Sequence, residues 1–245
     1  MIYYTLLFIV FLVLIFFKYW QHFKQQQMHA ILENLNPSTT IFAFDLHGTI
    51  LKMPPLRFIS FIWHTQRIPH FFSILLNPSY CPFYKRLFNN KIYTAYDFEM
   101  LAKKYPKILP LKNIFLPFLQ TTIIDQKSIT RLAQLNACGY RLYILSNINS
   151  SALEHVRSHY PWINDFFIDY FIPQSHDGIK KPHMLFYQRF QEYISKKEGN
   201  KSIIFIDDKK ENIDAAKRLG IHAFSIAIAD KVIEECLRNK ESNGE

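Results

Sequence analysis

The chain has 245 residues, 49% of them apolar, with 29 Lys and Arg against 20 Asp and Glu. This length suits one large domain or two small ones, and the apolar content excludes an intrinsically disordered chain. The three cysteines, Cys81, Cys138 and Cys236, are widely spaced and form no C-x-x-C pair. They exclude a disulfide framework and a zinc ribbon and fit a reducing compartment.

Residues 1–17 (MIYYTLLFIVFLVLIFF) carry no charged side chain, and Lys18, Tyr19 and Trp20 follow. Seventeen helical residues would reach about 25 Å, slightly short of a hydrocarbon core, and Lys18 could close the gap by snorkelling. A signal peptide is the rival, but no basic residue precedes the run and no small-residue cleavage site follows it. The expectation is an N-terminal transmembrane helix over 1–20. Lys18 and Lys24 lie on its inner side, so the body would face the cytoplasm as a single-pass membrane protein. Residues 21–38, rich in Gln, His and Asn, read as a linker.

Strand and helix patterns alternate from residue 39. Thr40–Asp45, Arg141–Ser146, Phe166–Ile172, Ser202–Asp207 and His222–Ile228 are short apolar runs with polar ends, as expected of strands buried on both faces. Lys127–Cys138, Ser151–Tyr160, Met184–Ser195 and Glu211–Leu219 read as the intervening helices. The order predicts an α/β fold, a Rossmann-like parallel sheet over 39–51 and 121–228. Residues 52–120 interrupt it with seven widely placed proline sites and many aromatics. They hold ten basic residues against two acidic ones, Asp97 and Glu99. This stretch reads as a mainly helical inserted cap. Its net +8 favours an anionic partner: a small phosphorylated metabolite or a phospholipid head group, with no motif for specific nucleic acid binding. Arg57, Arg67, Lys85 and Arg86 are the first cap candidates for that contact. Residues 229–245 read as a C-terminal helix or tail.

Four local patterns carry the chemistry. They are Asp45-Leu46-His47-Gly48-Thr49, Ser146-Asn147, Lys180-Lys181-Pro182, and Asp207-Asp208 with Asn212 four residues on. Each alone reads as a turn, a cap or a solvated face. In sequence they are stronger, because Asp45, Ser146 and Asp207 all fall at the carboxyl ends of predicted strands, where parallel sheets bind ligands. Carboxylates gathered at one sheet edge repel one another, and a hard divalent cation such as Mg²⁺ relieves the repulsion. A carboxylate at a strand tip can attack phosphorus and form an acyl phosphate. Gly48 would let the backbone approach a phosphate. Main-chain N–H groups after Asp45, the Ser146 hydroxyl and a lysine would hold its oxygens.

On these four motifs the chain resembles the haloacid dehalogenase-like (HAD) hydrolase superfamily, over about residues 39–228. It is closest to the phosphatase branch with a helical cap after the first motif and D-D-x-x-x-N as the fourth. The resemblance implies an Mg²⁺-dependent phosphatase with Asp45 as nucleophile and His47 as the second catalytic position. It implies Ser146, Asn147, Lys181, Gly48 and Thr49 as phosphate- or substrate-binding residues. Asp45, Asp208, Asp207 and the main-chain carbonyl of His47 would be metal ligands, with Asn212 supporting the acid pair.

One departure stands out: the family's phosphatases carry an aspartate where this chain has His47. Imidazole can do acid–base work, although a nearby cation disfavours its protonated form. Three readings stay open: a substitute acid/base, a slow enzyme or phosphotransferase, and a non-catalytic anionic-ligand or phosphate-binding protein. Haloacid dehalogenases also lack that aspartate. They need no metal, however, and would leave Asp207 and Asp208 as an unrelieved anionic pair.

Overall fold

In the computed structural model of the chain, the residues described are 30–33, 35–52, 101–111, 123–148, 150–173 and 178–242, with scattered positions before residue 30 and Pro78. Most of the expected cap, including Arg57, Arg67, Lys85 and Arg86, lies outside the described residues.

Five strands form one parallel sheet in the order β5-β4-β1-β6-β7. They are β1 (Thr40–Phe44), β4 (Arg141–Leu145), β5 (Phe167–Phe171), β6 (Ser202–Asp207) and β7 (His222–Ser225). All five were expected to within three residues, and β6 at the same bounds. The largest difference is at β7, which stops at Ser225. There the Ser225 hydroxyl accepts from the N–H of Ala227 and starts a 3-10 turn over Ile226–Ile228.

The crossovers are helical: α1 (Gln126–Ala137), α2 (Ser150–His159), the short α3 (Ile163–Phe166), α4 (Met184–Glu198) and α5 (Lys210–Lys217), followed by α6 (Ala229–Ser242). Residue alternation along the strands feeds two cores, since successive side chains point to opposite faces. Phe42, Phe44, Leu142, Ile144, Ile204 and Ile206 enter one face, with Leu132 and Leu135 of α1 and Val232, Ile233 and Cys236 of α6. Leu32 and Leu35, just before β1, join the same core. Ile41, Ala43, Tyr143, Leu145, Ile203 and Phe205 enter the other, with Phe186 and Phe190 of α4 and Ile213 and Ala216 of α5. The strands are therefore apolar on both faces, which is why their runs are continuous in the sequence.

The parallel register aligns the strand tips. Phe44 pairs with Ile144 on one side and Ile206 on the other, so Asp45 sits level with Leu145 and Asp207. A second, two-stranded sheet stands beside these tips: β2 (Leu51–Lys52) runs antiparallel to β3 (Ile123–Ile124). Lys52 and Asp125 close it with a 2.6 Å ion pair. Residues 53–122 thus leave and re-enter the body at one point. Ser128 of α1 ties this corner down by donating its hydroxyl to the Thr49 carbonyl at 3.0 Å.

The expected N-terminal transmembrane helix is corrected. Among the described residues no helix is long and apolar enough to cross a membrane. Positions 12–13 and 15–19 are helical, and the rest of 1–20 lies outside the described residues. Membrane partnership, which rested on that segment, has no support among the described residues.

Phe42 tests the account of the core. It is fully buried, and its ring meets Tyr140 edge-on at 5.2 Å. Phe42→Ala should lower unfolding stability by about 3–5 kcal/mol, read from the urea midpoint at unchanged slope. A loss below about 1 kcal/mol would contradict the packing described.

Candidate active site

Three carboxylates meet beyond the strand tips. Asp45 follows β1, Asp207 ends β6 and Asp208 comes next, and one oxygen from each lies within 4.8 Å of the others. Lys181 reaches the cluster from the irregular stretch between β5 and α4. Its ammonium stands 2.9 Å from Asp45 Oδ1 and 2.7 Å from Asp207 Oδ2, with its side chain 1% exposed. It also lies over the Phe205 ring, 5.0 Å from the centroid. A buried ammonium is tolerated only when it is paired and hydrogen-bonded, and two carboxylates and an aromatic face meet that need.

The two adjacent aspartates are not equivalent. Asp207 is fully buried and its oxygens are taken. They accept from Lys181, from Asn212 Nδ2 at 3.0 Å to each oxygen, and from the Lys209 main-chain N–H at 2.8 Å. Asn212 is held in turn by Tyr187, whose hydroxyl donates to the Asn212 carbonyl at 2.9 Å. Asp208 reaches solvent. Its pKa is raised to about 6 by partial desolvation, then by the charges of Asp45 and Asp207, with Lys209 opposing. Asp45 and Asp208 are thus the carboxylates with oxygen left for a cation, while Asp207 positions Lys181.

Gly48 has a structural reason that the sequence did not disclose. Its φ is +85°, and a Cβ added there would lie 2.2 Å from Asp208 Oδ2. The residue is glycine because the Asp208 carboxylate occupies the space of a side chain, in a backbone conformation that L-residues avoid. Thr49 is fully buried and its hydroxyl finds no hydrogen-bond partner among the described residues. Ser146 is buried at the end of β4, its N–H donating to the Phe171 carbonyl at 3.2 Å. Asn147 reaches solvent, yet both its amide atoms bond to the main chain of Lys181. His47 is half-buried. Burial lowers its pKa below 6.5, the charge of Asp45 opposes, and Lys181 and Lys209 add to the lowering.

Asp45, His47, Gly48, Thr49, Ser146, Asn147, Lys181 and Asp208 therefore lie on loops around one sheet edge, with Asp207 at the end of β6 and Asn212 in α5, while the cap candidates lie outside the described residues. Three supporting residues had escaped the sequence reading: Tyr187, Phe205 and Lys209. Lys209 had a signal in its place directly after the acid pair. The other two sit in ordinary core patterns and carried none.

No protein-family model matches the chain. Among solved structures, a HAD-family enzyme from Bacteroides thetaiotaomicron superposes with a TM-score of 0.54 at 19% identity, over 76% of this chain and 93% of that one. The same enzyme has been crystallised with magnesium and inorganic phosphate. A hydrolase from Streptococcus pneumoniae superposes with a TM-score of 0.51 at 19% identity, over 80% of this chain and 99% of that one. The chain therefore has the fold of these haloacid dehalogenase-like enzymes. In sequence, a sesquiterpene phosphatase from Aspergillus oryzae is 32% identical over 117 residues, 46% of this chain. The match spans only 57% of that relative's length.

The carboxylate cluster has a pH signature. Asp208 holds its proton more tightly in the folded chain than in the unfolded one, where 3.8 is the ordinary value. Its ionisation therefore costs metal-free stability as pH rises from about 4 to about 6, and the cost is constant above that range. A divalent cation must displace this proton below pH 6. The Mg²⁺-induced rise in melting temperature should thus be clearly larger at pH 7.5 than at pH 5. Equal shifts at the two pH values would contradict a cation held by Asp208.

Proposed function

We propose that the chain is an Mg²⁺-dependent phosphatase that hydrolyses phosphate monoesters through a phosphoaspartyl intermediate on Asp45. The observation that carries this reading is the meeting of Asp45, Asp207 and Asp208, with the Lys181 ammonium against the Asp45 carboxylate. The donors are all oxygens, which suits a hard cation such as Mg²⁺ over a thiolate- or imidazole-seeking one. Asp45 and Asp208 would hold it, with the main-chain carbonyl of His47. When bound, the ion supplies charge stabilisation for the transferring phosphoryl group. The magnesium–phosphate complex of the Bacteroides enzyme and the phosphatase relative both support the reading.

Lys181 holds the Asp45 carboxylate in position through its 2.9 Å contact. One Asp45 oxygen attacks phosphorus, the bond to the ester oxygen breaks with its electron pair going to that oxygen, and the departing alkoxide takes its proton from solvent water. Water then attacks the phosphorus of the acyl phosphate. The bond to Asp45 breaks, inorganic phosphate departs, and the carboxylate is restored. The Ser146 hydroxyl and the N–H groups after Asp45 hold the non-bridging oxygens. His47, with its pKa below the ordinary range, is an unprotonated imidazole at neutral pH. It suits the second step, where a base takes a proton from water, better than the first, where the leaving oxygen needs an acid. The substrate class is a small phosphorylated metabolite, and the sesquiterpene phosphatase relative extends it to phosphate esters of apolar alcohols.

Purified protein with p-nitrophenyl phosphate and Mg²⁺ tests the reading. Turnover should be abolished by chelation and should fall at least about 1,000-fold in Asp45→Asn. The His47 position favours a second reading, binding without turnover. Retained phosphate binding with no hydrolysis from pH 5 to 8 would decide for it.

The same residue predicts a leaving-group effect. Without a proton donor, alkyl phosphates should react far more slowly than nitrophenyl phosphate. His47→Asp should raise kcat on an alkyl phosphate by at least about tenfold, and by much less on the aryl ester. A uniform change on both substrates would show that residue 47 does not serve the leaving group.

A further inference from the structure

We propose that Asn147 is a positioning residue that acts through Lys181, not a contact to the substrate. The inference rests on the phosphatase reading for its kinetic consequences, but its geometry stands apart from it. Asn147 Oδ1 accepts from the Lys181 main-chain N–H at 2.8 Å, and Asn147 Nδ2 donates to the Lys181 carbonyl at 2.9 Å. One amide side chain thus grips one residue at both its backbone groups, as a neighbouring strand would. An amide is required: a carboxylate lacks the donor, a hydroxyl cannot span both atoms, and alanine offers neither.

The position of this clamp gives it a task. Lys181 does not lie on a helix or strand, so no ladder of hydrogen bonds fixes its Cα. Its ammonium must nevertheless sit within 3 Å of two carboxylates on two different strand tips. Asn147 follows Ser146 at the tip of β4, the strand beside β1. The clamp therefore references Lys181 to the same sheet edge that presents Asp45. Its amide atoms are committed to this work although the residue reaches solvent.

The test compares wild type, Asn147→Ala, Lys181→Met and the double variant as full chains, with p-nitrophenyl phosphate and Mg²⁺. Asn147→Ala should lower kcat at least about tenfold, since small misplacements of a catalytic group are costly. KM should stay within about threefold. In the Lys181→Met background the same change should cost less than about twofold, because residues that act as a unit are not additive. A loss that falls mainly on KM, or that persists in full without Lys181, would overturn the proposal.

A second readout needs no turnover. Acylation of Lys181 by an amine reagent, followed by mass spectrometry with exposed Lys196 as control, should rise at least about tenfold in Asn147→Ala at native circular dichroism. Unchanged protection overturns the clamp whatever the kinetics. Absence of hydrolysis in wild type, with protection lost in the variant, sinks the phosphatase reading and leaves the clamp standing. Should Asn147→Ala fail to fold, Asn147→Ser carries the same comparisons.

Discussion

The site depends on burying one ammonium among three carboxylates. Taking a charge out of water is costly unless it is paired, and the Lys181 ammonium lies 2.9 Å from Asp45 and 2.7 Å from Asp207. The contacts satisfy one another only if every member is in place. Asp207 is taken up with Lys181, Asn212 and the Lys209 N–H. Asn147 grips the backbone of Lys181, and Tyr187 holds Asn212. Once Lys181 is counted, the three carboxylates and one ammonium leave an anionic remainder, and Asp208 has a pKa raised first by desolvation and then by the charges of Asp45 and Asp207. That remainder is what a divalent ion would neutralise at this edge.

The sheet makes the gathering possible at little cost. In a parallel sheet, residues at equal register lie side by side, so carboxylates separated by some 160 positions become neighbours through pairing alone. Phe44 against Ile206 is enough to bring Asp45 next to Asp207. The glycine at position 48 then yields its side-chain space to Asp208. Sheet register and one absent Cβ set the shape of the anionic pocket, and the surrounding loops supply the remaining polar groups.

Much of this was legible in the chain. Continuous apolar runs such as Ile203–Ile206 announce strands covered on both faces, and acids at their ends announce the functional edge. The division of labour between Asp207 and Asp208 was not legible, because two adjacent identical residues give no sign of which one turns inward. Nor was the use of Asn147: a serine–asparagine pair after a strand reads equally as a cap or a ligand contact. Tyr187 and Phe205 were hidden for the opposite reason, since aromatic residues in buried patterns are explained by packing alone. The N-terminal apolar run was read as a span from its composition, and among the described residues no helix is long and apolar enough to be one. Of the cap, composition gave a net charge and an aromatic character, and the described residues cover little of it.

The small ladder of β2 and β3 has a further consequence. Leu51 pairs with Ile124 and Lys52 with Ile123, so everything between them is spliced into the body through a single doorway whose two posts already touch. Lengthening or exchanging what hangs there leaves the order of the main sheet unchanged, and closing a longer excursion adds only slowly to its entropic cost. The sequence between those posts is therefore free to vary in length, while the register that gathers Asp45, Asp207 and Asp208 is kept.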